Sequence, residues 1–105
     1  MIKNFLVKKG DLLAFTITFT TPAEITAMEF GVKQTYSDSL YTIIKSLGNG
    51  ITRISDVKYS IVVPSEDMNR LSIKNYVYDL RLKIGTEIKT PLSGKIIVKD
   101  TVFEG

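Results

Sequence analysis

The chain has 105 residues, 44% of them hydrophobic, and a net charge of +3 from 14 basic and 11 acidic side chains. That length holds one domain, expected to span residues 1–105, and the apolar content is enough for a continuous core, which excludes a disordered chain. Cysteine and histidine are both absent. Disulfide staples, His/Cys zinc sites, Ser-His-Asp triads and Cys-His pairs are therefore excluded.

The N-terminus, Met1 to Lys9, has too short an apolar run for a signal peptide and meets Lys8 and Lys9 at once. No segment approaches the roughly 18 consecutive apolar residues of a membrane span. A soluble product made in the cytoplasm is expected. Basic residues are scattered among acids, with only Lys8 and Lys9 adjacent, so neither a nucleic-acid nor a membrane partner is expected.

Period two dominates the chain. Phe5–Lys8 reads as a first strand, followed by a Gly10-Asp11 turn. Leu13, Phe15, Ile17 and Phe19 then alternate with Ala14, Thr16, Thr18 and Thr20, which places an apolar row inward and threonines outward. Pro22 ends that strand. Met28–Lys33, Ile51–Ile54 and Val57–Val63 read as further strands.

Asp38–Leu47 is ambiguous. Leu40, Ile43, Ile44 and Leu47 fit helical spacing with Gly48 as stop, yet Leu40–Ile44 also reads as a strand. Gly48-Asn49-Gly50 reads as a tight turn, because no helix opens after it as a phosphate loop would require. Pro64 followed by Ser65, Glu66 and Asp67 predicts one helical turn over Ser65–Leu71, capped by Ser65. Tyr76, Tyr78, Leu80, Leu82 and Ile84 alternate with Val77, Asp79, Arg81 and Lys83, a strand with one apolar and one charged face. Ile96–Val102 closes the chain as a last strand.

Of acid chemistry only carboxylate pairs survive, with Asp79 beside Asp56, Asp67 or Asp100 as the conceivable sets. The sequence places no such pair at a useful distance, and Asp79 lies among charged outward residues where a raised pKa is not expected, so all read as surface carboxylates. No acids alternate with a Gly as a calcium loop requires. The expected answer is no enzyme, no metal and no cofactor. Tyr76 and Tyr78 are expected in the core. Tyr76, entering its strand through Asn75 after a crossover, is placed for a tyrosine corner, whose hydroxyl bonds back to the preceding connection. Tyr36, Tyr41 and Tyr59 are the candidate exposed aromatics for a partner.

One resemblance adds to this reading. Gly10-Asp11 ahead of an alternating strand, Tyr76-Val77-Tyr78-Asp79-Leu80, the Thr90 to Gly94 stretch and the Asp100-Thr101-Val102 ending follow in order. The set resembles a sandwich domain of tailed-phage structural proteins, including the N-terminal domain of upper baseplate proteins. Asp-Thr-Val departs in order from the Asp-Val-Thr end of those relatives. The resemblance marks Gly10, Asp11, Tyr76, Tyr78, Asp79, Leu80, Thr90 and Gly94 as fold-motif residues. It implies an immunoglobulin-like antiparallel β-sandwich, of about seven strands with one short helical turn, and an extended Ile43–Leu47. It also implies a virion structural protein of tail or baseplate that self-associates, as a homo-oligomer, and binds neighbouring virion proteins. The alternative is a carbohydrate-binding or adhesive module on the same sandwich, with Tyr36, Tyr41 and Tyr59 as its platform.

Overall fold

In the computed structural model, which describes residues 1–102, eight strands and one helical turn follow one another. They are β1 (Phe5–Lys8), β2 (Leu13–Thr18), β3 (Ala27–Lys33), β4 (Ile43–Leu47), β5 (Gly50–Arg53), β6 (Lys58–Val63), α1 (Ser65–Met68), β7 (Asn75–Ile84) and β8 (Glu87–Lys99). Residues 103–105 of the expected domain lie outside the described residues.

The strands are hydrogen-bonded in the order β1-β8-β7-β3-β4-β5-β6-β2. Rings on strands far apart in that order touch. Phe15 on β2 lies 4.9 Å from Phe5 on β1 and 5.6 Å from Phe30 on β3, centroid to centroid. The sheet therefore folds over at the β4–β5 contact into two layers, β1-β8-β7-β3-β4 and β5-β6-β2. Most pairings are antiparallel; β1 runs parallel to β8, and Ser46–Leu47 runs parallel to Gly50–Ile51.

Alternation explains the core. Met28, Phe30 and Val32 of β3, Tyr59, Ile61 and Val63 of β6, and Tyr76, Tyr78, Leu80 and Leu82 of β7 all point inward and are buried. Met68 and Leu71 pin the α1 crossover to the same core.

The ambiguous segment is extended over Ile43–Leu47, and Leu40–Thr42 lies outside the strand. The helical spacing lost because Ile43 pairs with Val32 and Ile44 with Gly31, so sheet pairing overrode local preference. Ser65 does not cap α1. Pro64 occupies the cap, its carbonyl accepting the Asp67 and Met68 amides, and no side chain caps the turn.

The last strand starts nine residues before the expected Ile96 and ends at Lys99, short of Val102. A Gly85-Thr86 turn, with Gly85 at φ 61°, joins it to β7 as a hairpin. Pro91 hid this extension, since proline removes a ladder donor. Here it falls at a bulge, where Leu80 pairs with Leu92 but Leu82 with Lys89, leaving Thr90 and Pro91 opposite the lone Arg81.

Candidate interaction face

The outward side chains of β3, β4 and β7 build one surface. Glu29, Gly31 and Lys33 alternate out of β3, Ile44 and Ser46 out of β4, and Val77, Asp79 and Arg81 out of β7. The β3–β7 register sets Glu29 opposite Arg81 and Gly31 opposite Asp79. Arg81 Nη2 donates to Glu29 Oε1 at 3.2 Å.

The loop between β3 and β4 lays two tyrosines beside this surface. Tyr41 lies over Gly31; a Cβ at that position would stand 2.5 Å from its ring. Gly31 is therefore the residue that lets the ring down onto the sheet. Lys33 Nζ sits 4.7 Å from the centre of the same ring, within cation–π range. Tyr36 is 62% exposed, Tyr41 45% and Ile44 42%. Together with Glu29, Lys33, Asp79 and Arg81 they line a shallow depression of about 120 Å³.

Of the three candidate partner aromatics, the structure brings Tyr36 and Tyr41 together here and removes Tyr59. Tyr59 is 1% exposed, inside the core with its β6 neighbours Ile61 and Val63, and its ring meets Phe19 edge-on at 6.0 Å. The expectation that it is exposed is corrected. The two-residue alternation with Ile61 and Val63 was the signal that placed it inward.

The fold-motif residues hold the scaffold of this face. Gly10 turns the chain at φ 85°, and the Asp11 amide donates to the Lys8 carbonyl at 3.0 Å. Leu80 is fully buried, Asp79 points outward, and Thr90 is exposed at the bulge. Gly94 lets the N-terminal segment lie close alongside β8, since a Cβ there would overlap the Lys3 carbonyl oxygen. That carbonyl accepts a 2.6 Å hydrogen bond from the Tyr78 hydroxyl. Burial, with the Coulomb influence of nearby Tyr36 and Asp79 adding to it, pushes the Tyr78 phenol up to about 12 from 10.0. It stays a neutral donor at ordinary pH.

The tyrosine corner is present. The Tyr76 hydroxyl accepts the Ser72 backbone N–H at 2.8 Å, tying the crossover to the start of β7. Tyr76→Phe takes the acceptor from that part-buried amide and is expected to cost about 1 kcal/mol. A urea midpoint that falls with unchanged slope is the expected reading; an unchanged midpoint would mean water serves the amide equally well.

The carboxylates do not assemble. Asp56 pairs with Arg53 at 3.2 Å, Asp67 with Lys45 at 2.5 Å, and Asp100 accepts the Thr101 amide at 2.8 Å. Among the described residues no group of three His, Cys, Asp or Glu could hold a metal ion, and no helix is long and apolar enough to cross a membrane.

No family profile and no curated protein matches this sequence. Solved structures do. The extracellular domain of the voltage-gated sodium channel beta4 subunit, described as a parallel homodimer with a role in cell–cell adhesion, is 14% identical. It superposes with a TM-score of 0.50 over 96% of this chain and 93% of its own. The NK cell receptor Nkp44 is 9% identical, with a TM-score of 0.50 over 96% of this chain and 99% of its own. An uncharacterized protein from Bacillus anthracis str. Ames is 17% identical over 90% of this chain and 77% of its own, with a TM-score of 0.45.

The first two likenesses show the fold, an immunoglobulin-like β-sandwich. In antibody domains the corner tyrosine precedes, by two residues, a cysteine whose inter-sheet disulfide packs on a buried tryptophan. Here Tyr76 is the corner and Tyr78 takes the cysteine position. Phe30 lies 5.3 Å from Tyr78, Phe15 bridges from β2, and Phe5 packs at a tilt against both Phe15 and Tyr78. Four rings do the cross-layer work of a disulfide in this cysteine-free chain.

Proposed function

We propose that this protein is a non-enzymatic assembly module, a virion adaptor of tail or baseplate that self-associates and binds neighbouring virion proteins. The observation that carries the self-association is the Tyr36–Tyr41 face. A two-fold interface brings one patch onto itself, so the patch must carry both signs of charge. This one does: Glu29 and Asp79 stand beside Lys33 and Arg81, around exposed aromatic and aliphatic centres. Aromatic residues and arginine are also what protein interfaces enrich. The homodimer described for the sodium channel subunit domain supports self-association on this fold. The virion assignment rests on the ordered motif set in residues 10–102. The carbohydrate-binding alternative loses one of its three platform residues with the burial of Tyr59, and Lys33 already covers part of Tyr41.

Light scattering after size-exclusion chromatography tests the reading. The wild-type mass is expected at a whole multiple of 11.8 kDa. Ile44→Asp, at an exposed position, is expected to return it to a folded monomer with the same far-UV circular dichroism spectrum, its thermal midpoint lower only by what association contributed. A wild-type monomer at every concentration contradicts self-association through this face. Whether the protein co-purifies with tail particles tests the virion assignment separately.

A further inference from the structure

The strand order has two ends, β1 and β2, and they are built differently. Exposed strand edges are templates for pairing, and proteins guard them with charges, prolines or bulges. β1 is guarded: it ends in Lys8, followed by Lys9, whose Nζ reaches the Asn69 carbonyl at 2.7 Å. β2 is not. Its sequence, Leu-Ala-Phe-Thr-Ile-Thr, has no charge, no proline and no register break, and among the described residues it pairs with β6 alone. Immunoglobulin domains fill this position with a first strand laid along the second. Here the first strand lies on β8 instead.

A groove of about 460 Å³ runs along this open seam. Its floor is Phe15, Ile17, Phe19 and Leu92, half-buried or buried, with Pro91 at its end. A second depression of about 260 Å³ shares Phe19, Thr20 and Pro91 with it and continues past Lys89. Lys3 and Lys89 stand on the rim, and among the described residues no carboxylate lines either part.

We infer that the β2 edge takes an added strand from a partner protein, an extended segment with apolar side chains at alternate positions and acidic ones between them. Backbone hydrogen bonds to the free edge supply affinity, and the groove supplies alternate-residue pockets, as in strand addition generally. Charge selects the occupant. The cationic rim repels a second copy of the same rim and attracts carboxylates. The groove shares no residue with the Tyr36–Tyr41 face, so the inference stands or falls independently of self-association there.

The probe is a short acetylated peptide, Glu-Val-Thr-Val-Glu-Val-Thr, against the same peptide with lysine for glutamate. The acidic peptide is expected to slow amide exchange over residues 13–18 and to bind about tenfold more tightly than the basic one, two rim contacts being worth about 1.4 kcal/mol together. Lys3→Glu with Lys89→Glu, both at exposed positions, is expected to invert that preference while the fold is kept. Equal binding of the two peptides, or exchange at residues 13–18 unmoved by either, overturns the inference. So does protection of those amides by raising the protein's own concentration, which would make the seam a contact between copies.

Discussion

Replacing Phe30 by alanine is expected to cost about 3–5 kcal/mol, the upper range for truncating a buried aromatic. Phe30 has no exposed surface and stands at the centre of the ring chain, 5.6 Å from Phe15 at 62° and 5.3 Å from Tyr78 at 34°. Its loss removes the transfer free energy of the side chain and leaves a cavity between the layers. It also breaks two aromatic contacts, each worth about 0.5–1.5 kcal/mol beyond burial. No disulfide joins the layers to limit the damage. Because small domains are stable by only about 5–15 kcal/mol, the variant should be largely unfolded at moderate urea. A chemical denaturation curve measures it. A loss below about 1.5 kcal/mol, the usual size of a volume-conserving swap, would mean that the rings do not hold the layers together.

The second large effect is at Asp67. Its carboxylate meets Lys45 Nζ at 2.5 Å, both side chains are only 13% exposed, and Arg70 stands at 3.8 Å on the accessible side. Lys45 runs its stem against Gly50, where a Cβ would stand 2.7 Å from Cδ, so the ammonium has little room to swing into water. Asp67→Ala leaves that ammonium unpaired. The expected cost is about 2–3 kcal/mol, somewhat below a fully buried pair because some solvent reaches the site. Asp67→Leu combined with Lys45→Met, which removes both charges and keeps the volume, is expected to recover most of it. If the double variant is as unstable as the single one, the pair contributes through its geometry and not through a stranded charge.

Much of this fold was legible because period two is a local signal. β1, β2, β3, β6 and β7 follow from alternating side chains alone, and Tyr76 announced its corner through the Asn75 entry. What escaped needed partners distant in sequence. Ile43–Leu47 is helical by spacing and becomes a strand only because Val32 and Gly31 wait beside it. The first half of β8 escaped because Pro91 argues against a strand until a bulge accommodates it. Lys45 and Asp67 give no hint of each other, being joined only when the folded chain brings α1 within reach of the Lys45 side chain. The interaction face was half legible. Tyr36 and Tyr41 were singled out, but Gly31, which seats Tyr41, and the Glu29–Arg81 pair arise from the β3–β7 register.

The central claim is that copies of this immunoglobulin-like sandwich meet through the outer face of β3, β4 and β7. Amide chemical shifts followed across a dilution series test it most directly. The account predicts concentration-dependent shifts at Gly31, Lys33, Tyr41, Ile44, Val77 and Asp79, and constant shifts along β2. Shifts that do not move with concentration, or that move along β2 in place of this face, would contradict it.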